Sequence, residues 1–227
     1  MAGHEQAAQR TSAIEDYAKA IYSLELREGD MVTTNAIAER LGVTPASASG
    51  MVKRLSELGL VEHEPYRGVT LTDDGRRVAL EVMRHHRLLE LYLFESLGVP
   101  WDRVHKEAEV LEHVLSEELE ELIAAKLGDP TVDPHGDPIP TRELTIEERK
   151  TSSMQSLRAG DRGTFTRVSD SDPEMLRFLA DHGIAPGDRF EVIDKQPFDG
   201  PLFVRFDDRV QVLGGALASA MRVELEQ

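Results

Sequence analysis

The sequence predicts an α+β protein in three parts: a helix-turn-helix with a following hairpin, a run of longer helices, and a small β-barrel. Three observations predict this. Apolar residues recur at helical spacing from Ser12 to about Leu127, broken by two short alternating segments between Leu60 and Thr72. Residues 129–141 (DPTVDPHGDPIPT) hold four Pro and one Gly, which makes them a loop. From about residue 157 the periodicity changes to short alternating runs. The domain bounds that follow are 1–73, 74–141, a linker at 142–156, and 157–227.

Residues 12–27 place Ile14, Tyr17, Ala18, Ile21, Tyr22 and Leu24 on one helical stripe, with Ser12 as a cap. After a loop with Gly29 and Asp30, Thr34 opens a short helix over Asn35–Leu41. Gly42-Val43 is a tight turn, Thr44 is a good N-cap, and Pro45 suits the first helical position. That third helix runs to Leu58 and stops at Gly59. Leu60–Glu64 and Val69–Thr72 read as two strands joined by a turn at Pro65–Gly68. Helix, turn, longer helix and hairpin in this order describe a winged DNA-binding domain.

Thr72 caps a long helix with Asp73 and Asp74 at its positive end, and Gly98 closes it. Pro100 starts a further helix to about Leu115, and Ser116 caps another that ends near Gly128. Leu88, Leu91, Tyr92 and Phe94 form a stripe that packs either within the chain or against a second copy. In the last third, 164–168, 189–193, 202–206 and 221–225 read as strands, with a helix from Pro173 to His182 between them. About 70 residues in this pattern suit a small barrel.

Composition narrows the function. The net charge of −16 argues against a generic polyanion binder. Without cysteine the chain can have neither disulfides nor thiolate ligands nor a cysteine nucleophile. No apolar run approaches the length of a membrane span, and the first ten residues carry no secretion signal, so a cytoplasmic protein with no membrane partner is expected.

The chemistry concentrates in His105-Lys-Glu-Ala-Glu109-Val-Leu-Glu112-His113. On a continuous helix these four residues stand at i, i+4, i+7 and i+8 and share one face. Seven Glu lie between 107 and 121 with no Lys or Arg among them. Such carboxylates repel unless a cation sits among them. On the preceding helix His86 and Glu90 share a face, with His85 as the competing imidazole. Carboxylate oxygen and imidazole nitrogen suit Mn(II), Fe(II) or Co(II).

Together the winged helix, VMRHHRLLELYL, VHKEAEVLEHVLSEELE and DPHGDPIP resemble the diphtheria toxin repressor family of metal-activated transcriptional repressors. The resemblance implies a winged helix-turn-helix domain, an all-helical dimerisation domain and an SH3-like C-terminal domain. It further implies one metal position from Asp16, Glu109, Glu112 and His113, and a neighbouring one from His86, Glu90 and His105. The iron-responsive branch has Met and Cys where this chain has Asp16 and Glu109; the present pair resembles the manganese-responsive branch. Lys19 stands where shorter manganese regulators carry a second carboxylate. Of the ligands that longer members draw from the C-terminal domain, Arg167 cannot serve as one, and Asp170 is a candidate for the other.

The expected function is a manganese-responsive repressor that binds double-stranded operator DNA as a homodimer, with Fe(II) and Co(II) as alternative activators. An iron(II)-responsive repressor and, from another class, a metal-dependent hydrolase are the rival readings. In the helix from Pro45, the small residues Thr44, Ala46, Ser47, Ser49 and Gly50 would approach bases, and Lys53, Arg54 and Arg67 would touch phosphate. Without metal the carboxylates are expected to repel and let the DNA-binding part swing; with metal the geometry of the dimer would be fixed.

Overall fold

A computed structural model describes residues 11–29, 31–64, 67–147, 150–198 and 200–226. The chain divides into two compact units. The first comprises residues up to His85 with Glu112–Leu115 and Pro140–Thr145; the second comprises His86–Leu111, Ser116–Ile139 and Ile146 onward.

In the first unit, helix α1 is Ser12–Glu28, α2 is Thr34–Leu41 and α3 is Pro45–Glu57. Cap positions fall one residue before two of those predicted. Thr11 rather than Ser12 precedes α1, and Thr33 rather than Thr34 caps α2, its hydroxyl accepting from Ala36 N at 3.1 Å. Thr44 caps α3 as expected, accepting from Ser47 N at 3.1 Å. Gly42, between α2 and α3, has φ 64°, a left-handed turn that suits glycine. Ile14, Ile21, Ile37, Val52 and Leu55 are buried.

Strands β1 (Val61–Glu64) and β2 (Gly68–Leu71) pair antiparallel with Val61 opposite Leu71 and Glu64 opposite Gly68. The predicted turn there includes Pro65 and Tyr66, and the first loop includes Asp30; all three lie outside the described residues. Val32 adds a two-way bridge to Val69. The buried Glu25 carboxylate binds hairpin and helix together, accepting from Leu71 N at 2.7 Å and from Arg76 at 3.1 Å. Helix α4 (Asp73–Leu97) begins against the hairpin so closely that a Cβ on Gly75 would lie 1.9 Å from the Leu60 carbonyl oxygen. The division between units falls inside α4, between His85 and His86.

The second unit holds the rest of α4, α5 (Trp101–Leu111), α6 (Glu117–Lys126), the proline loop and the C-terminal sheet. Helix α5 is shorter than expected. The backbone leaves the helix at Leu111 and turns through Glu112–Val114, four residues before the predicted end at Leu115. Ser116 then caps α6, accepting from Leu119 N.

Beyond the loop come β3 (Ser152–Ser153), a 3₁₀ turn at Met154–Ser156, β4 (Arg162–Val168), α7 (Pro173–Asp181), β5 (Arg189–Lys195), β6 (Leu202–Phe206), β7 (Arg209–Leu213), α8 (Gly215–Ala220) and β8 (Met221–Leu225). They form an antiparallel sheet in the order β3-β8-β4-β5-β6-β7. Register shifts at Phe165/Arg167 and Val192/Asp194 bend it toward a barrel. Its core includes Phe165, Val168, Leu176, Leu179, Val204 and Val223. Trp101 reaches into that core and donates its indole N–H to the Leu176 carbonyl at 3.1 Å.

Candidate metal centres

The first centre lies within the first unit. Asp16 stands one turn into α1, and Glu112 and His113 lie in the turn after α5. His113 Nε2 is 3.0 Å from Asp16 Oδ1 and 3.6 Å from Glu112 Oε1. The other ring nitrogen, Nδ1, donates to Glu15 Oε2 at 2.6 Å. That bond orients the imidazole and turns Nε2 toward the two carboxylates, as carboxylates behind ligating histidines commonly do. Glu112 is buried, and Lys19 Nζ lies 2.5 Å from its Oε1. Burial pushes the Asp16 carboxyl up, while His113 and Lys19 pull against it. His85, the competing imidazole, bonds the Glu112 carbonyl oxygen through Nδ1 at 3.0 Å, and it does not join the donors that converge around Asp16, Glu112 and His113 or around Glu90.

The second centre lies within the second unit. His86 Nε2 is 3.0 Å from Glu90 Oε1 and 3.0 Å from His105 Nδ1. His105 Nδ1 is also 3.1 Å from Glu90 Oε1 and 2.9 Å from Asp170 Oδ2. Two ring nitrogens and two carboxylate oxygens thus converge on one point, more acceptors than shared protons satisfy well. Burial works against the charge on Glu90, but the neighbouring imidazoles of His105, His135 and His86 hold its carboxyl well below the usual range. Against burial, Asp170 and Glu90 lift His105 to about 10. Asp170 is lowered in turn: burial opposes the charge, and His105 outweighs it.

Beneath this centre a third group, unforeseen in the sequence, gathers around the other Glu90 oxygen. His135 Nδ1 faces Glu90 Oε2 at 3.6 Å and has no hydrogen-bond partner, while its Nε2 bonds the Trp101 carbonyl oxygen at 2.9 Å. Asp133 completes the group, its Oδ1 accepting from His135 N and Asp137 N. Glu90, Asp133 and His135 each offer a donor atom within 4.8 Å of the others, an arrangement a metal ion could share. The loop carrying these residues is sealed to β4: Val168 N donates to the His135 carbonyl oxygen at 3.0 Å, and a Cβ on Gly136 would meet Thr166 O at 1.9 Å. Arg167, excluded as a ligand from the sequence, pairs with Asp137 at 3.2 Å. A bare loop reading gave no signal for Asp133 or His135, although PHG within a charged proline loop is itself chemical information.

The four residues expected on one helical face do not stay together. His105 and Glu109 keep that relation, at 3.6 Å between Nε2 and Oε1, and Glu109 is exposed. Glu112 and His113 depart because the helix ends before them. Of the DNA-contact candidates, Thr44, Ala46, Ser47, Ser49, Gly50, Lys53 and Arg54 are exposed around α3, whose other face buries Ala48, Val52 and Leu55. Arg67 is exposed at the start of the wing and pairs with Glu64 at 2.6 Å.

All three parts of the chain resemble known proteins. Residues 10–69 match the iron-dependent repressor N-terminal DNA-binding domain, residues 72–141 the iron-dependent repressor metal-binding and dimerisation domain, and residues 153–225 the FeoA domain. The iron-dependent repressor IdeR of Mycobacterium bovis is 33% identical, over 92% of this chain and 96% of its own. The chain belongs to the diphtheria toxin repressor family. Within it, the diphtheria toxin repressor of Corynebacterium efficiens is 34% identical over 92% of this chain and 94% of its own. A solved manganese-dependent transcriptional repressor in complex with manganese is 43% identical, with a TM-score of 0.87 over 94% of this chain and 100% of that one. The manganese regulator SloR is 31% identical, with a TM-score of 0.75 over 94% and 98%. The protein is therefore a metal-dependent transcriptional repressor of this family, and the hydrolase reading gives way. Among the described residues, no helix is long and apolar enough to cross a membrane.

Proposed function

We propose that this repressor responds to manganese and binds its operator as a homodimer. One observation carries the choice of metal: the first centre brings together only oxygen and nitrogen donors, from Asp16, Glu112 and His113. Hard and borderline donors without sulfur suit Mn(II). The 43% identical relative named for manganese supports the same choice. Relatives named for iron at 33% identity support Fe(II) as the second reading.

A bound divalent ion supplies positive charge that Asp16, Glu112 and His113 share. Asp16 belongs to α1, so its attachment to the 112–113 turn fixes the helix on which α2 and α3 rest. His113 is held ready by Glu15, and Glu112 by its place in the interior. In the second unit His86, Glu90, His105 and Asp170 form a second position that joins α4, α5 and the end of β4. The dimer would use the exposed apolar side chains of α4–α6, Phe94, Leu97, Val110, Leu119 and Leu122. Large apolar side chains left in water on helices suit such an interface. Two copies of α3 at a fixed spacing then select operators with matching half-sites.

A gel-shift titration of operator DNA against Mn(II), Fe(II) and Co(II) at controlled free-ion levels tests this. Manganese should promote binding by wild type and not by Asp16→Ala. Equal promotion of both proteins by manganese would end the reading.

A further inference from the structure

The metal-binding reading leaves one charged group at the first centre without a role. Lys19 lies three residues after Asp16 on α1, and its ammonium is 2.5 Å from Glu112 Oε1. That same oxygen faces His113 Nε2 at 3.6 Å. Glu112 is 1% exposed and Lys19 20%, so the pair is screened little by water. The expectation of mutually repelling carboxylates in the metal-free state therefore omits a cation that the chain itself supplies.

We propose that Lys19 is the resident cation of the first centre, a positioning residue that holds α1 to the 112–113 turn without metal and sets the ion concentration needed to activate. Two consequences follow from the geometry. First, a buried Glu112 stripped of the ammonium would be costly, because breaking such a pair by removing one member is strongly destabilising. Lys19 removes that cost in the metal-free protein. Second, an incoming divalent ion meets a carboxylate oxygen already engaged by an ammonium. It must displace the lysine or bind beside it, and both weaken its affinity. Lys19 thus trades metal affinity for a preassembled ligand set, which places the response at a higher ion concentration than bare carboxylates would give.

This rests on the metal reading of the centre, and the test separates the two. The full chain carrying His105→Ala, which disables the second centre, is compared with the same chain carrying Lys19→Met or Lys19→Gln in addition. Manganese affinity is measured by calorimetry and by electron paramagnetic resonance of free Mn(II), and thermal unfolding is followed in chelator. Removing the ammonium should tighten manganese binding about tenfold or more and lower the unfolding midpoint in chelator. Lys19→Arg should keep both near the parent's values. A loss of packing alone would weaken metal binding, so the sign of the change carries the test. Unchanged or weaker manganese binding in Lys19→Met and Lys19→Gln overturns the proposal. A variant that folds only when manganese is supplied supports it, because an external cation then replaces the internal one; a variant that stays unfolded with manganese overturns it. If the parent binds no manganese, the functional reading itself fails, and this proposal with it.

Discussion

The two centres solve one electrostatic problem with different cations. Around Asp16, Glu112 and His113, a side-chain ammonium stands against the buried carboxylate. Around Glu90, the positive charge comes as protons taken up by imidazoles, with His105 lifted to about 10 and His135 to about 9. Asp16 at the first is partly exposed, and Glu90 at the second is enclosed. The difference teaches that metal-free stability and metal competition need not share a mechanism within one protein. On the reading proposed above, metal at the second centre would compete with protons and so follow pH, and metal at the first would compete with a tethered cation and so follow the sequence of α1.

The strongest way to break this contrast is Glu90→Ala. It removes the carboxylate on which His86, His105 and His135 converge, and should cost about 3–5 kcal/mol, the usual scale for a broken buried pair. Denaturant unfolding in chelator measures it, and a loss below about 1 kcal/mol would show that Glu90 does not organise the cluster.

Asp16→Ala comes next. Losing the partly exposed Asp16 from the first centre should weaken manganese binding there by at least tenfold and leave unfolding in chelator almost unchanged. Calorimetry and a melt in chelator read the two quantities separately.

A pH series sharpens the contrast further. Folding raises His105 and His135 above the ordinary value of 6.5, to about 10 and about 9. Their contribution to stability is thus complete below pH 6.5 and is lost as pH rises through 9 and then 10. The melting midpoint in chelator should fall over that range, and less steeply in His105→Gln. Manganese affinity at the second centre should rise over the same range as protons cease to compete. A midpoint that rises with pH in wild type would contradict the assignment of protonated imidazoles.

The smallest effect belongs to Asp170→Asn. The amide keeps the volume but loses the charge facing His105 at 2.9 Å. Manganese affinity should drop several-fold at the second centre only, with operator binding saturating at a modestly higher manganese concentration. An equal loss at the first centre would show that the two are not separate.

Much of this was legible in the residues, for identifiable reasons. Thr44-Pro45 and Gly42 carry strong local preferences, so the helix-turn-helix could be read directly. Glu112 and His113 stood out in the local pattern, but Asp16 was joined to them through family resemblance, because no local pattern links residues almost a hundred positions apart. The helical face drawn through Glu112 and His113 failed because side-chain periodicity does not show where a helix ends. Strand β7 was missed because it lies at the sheet edge with Val210 and Val212 half exposed, which blurs the alternation that marks a buried strand. Asp133 and His135 were hidden by the correct inference that prolines make a loop; loops on a rigid scaffold are where functional residues gather.

The seam between the proline loop and β4 also bears on how Asp170 reaches His105. Asp170 follows β4 by two residues, and β4 is fastened by His135, Gly136 and Asp137 rather than by the linker that precedes it. A protease that nicked the chain between 142 and 151 would therefore leave the C-terminal fragment attached by non-covalent contacts, its aspartate still delivered to the histidine. For this donor the covalent tether serves as a leash during assembly, and the finished joint no longer depends on it.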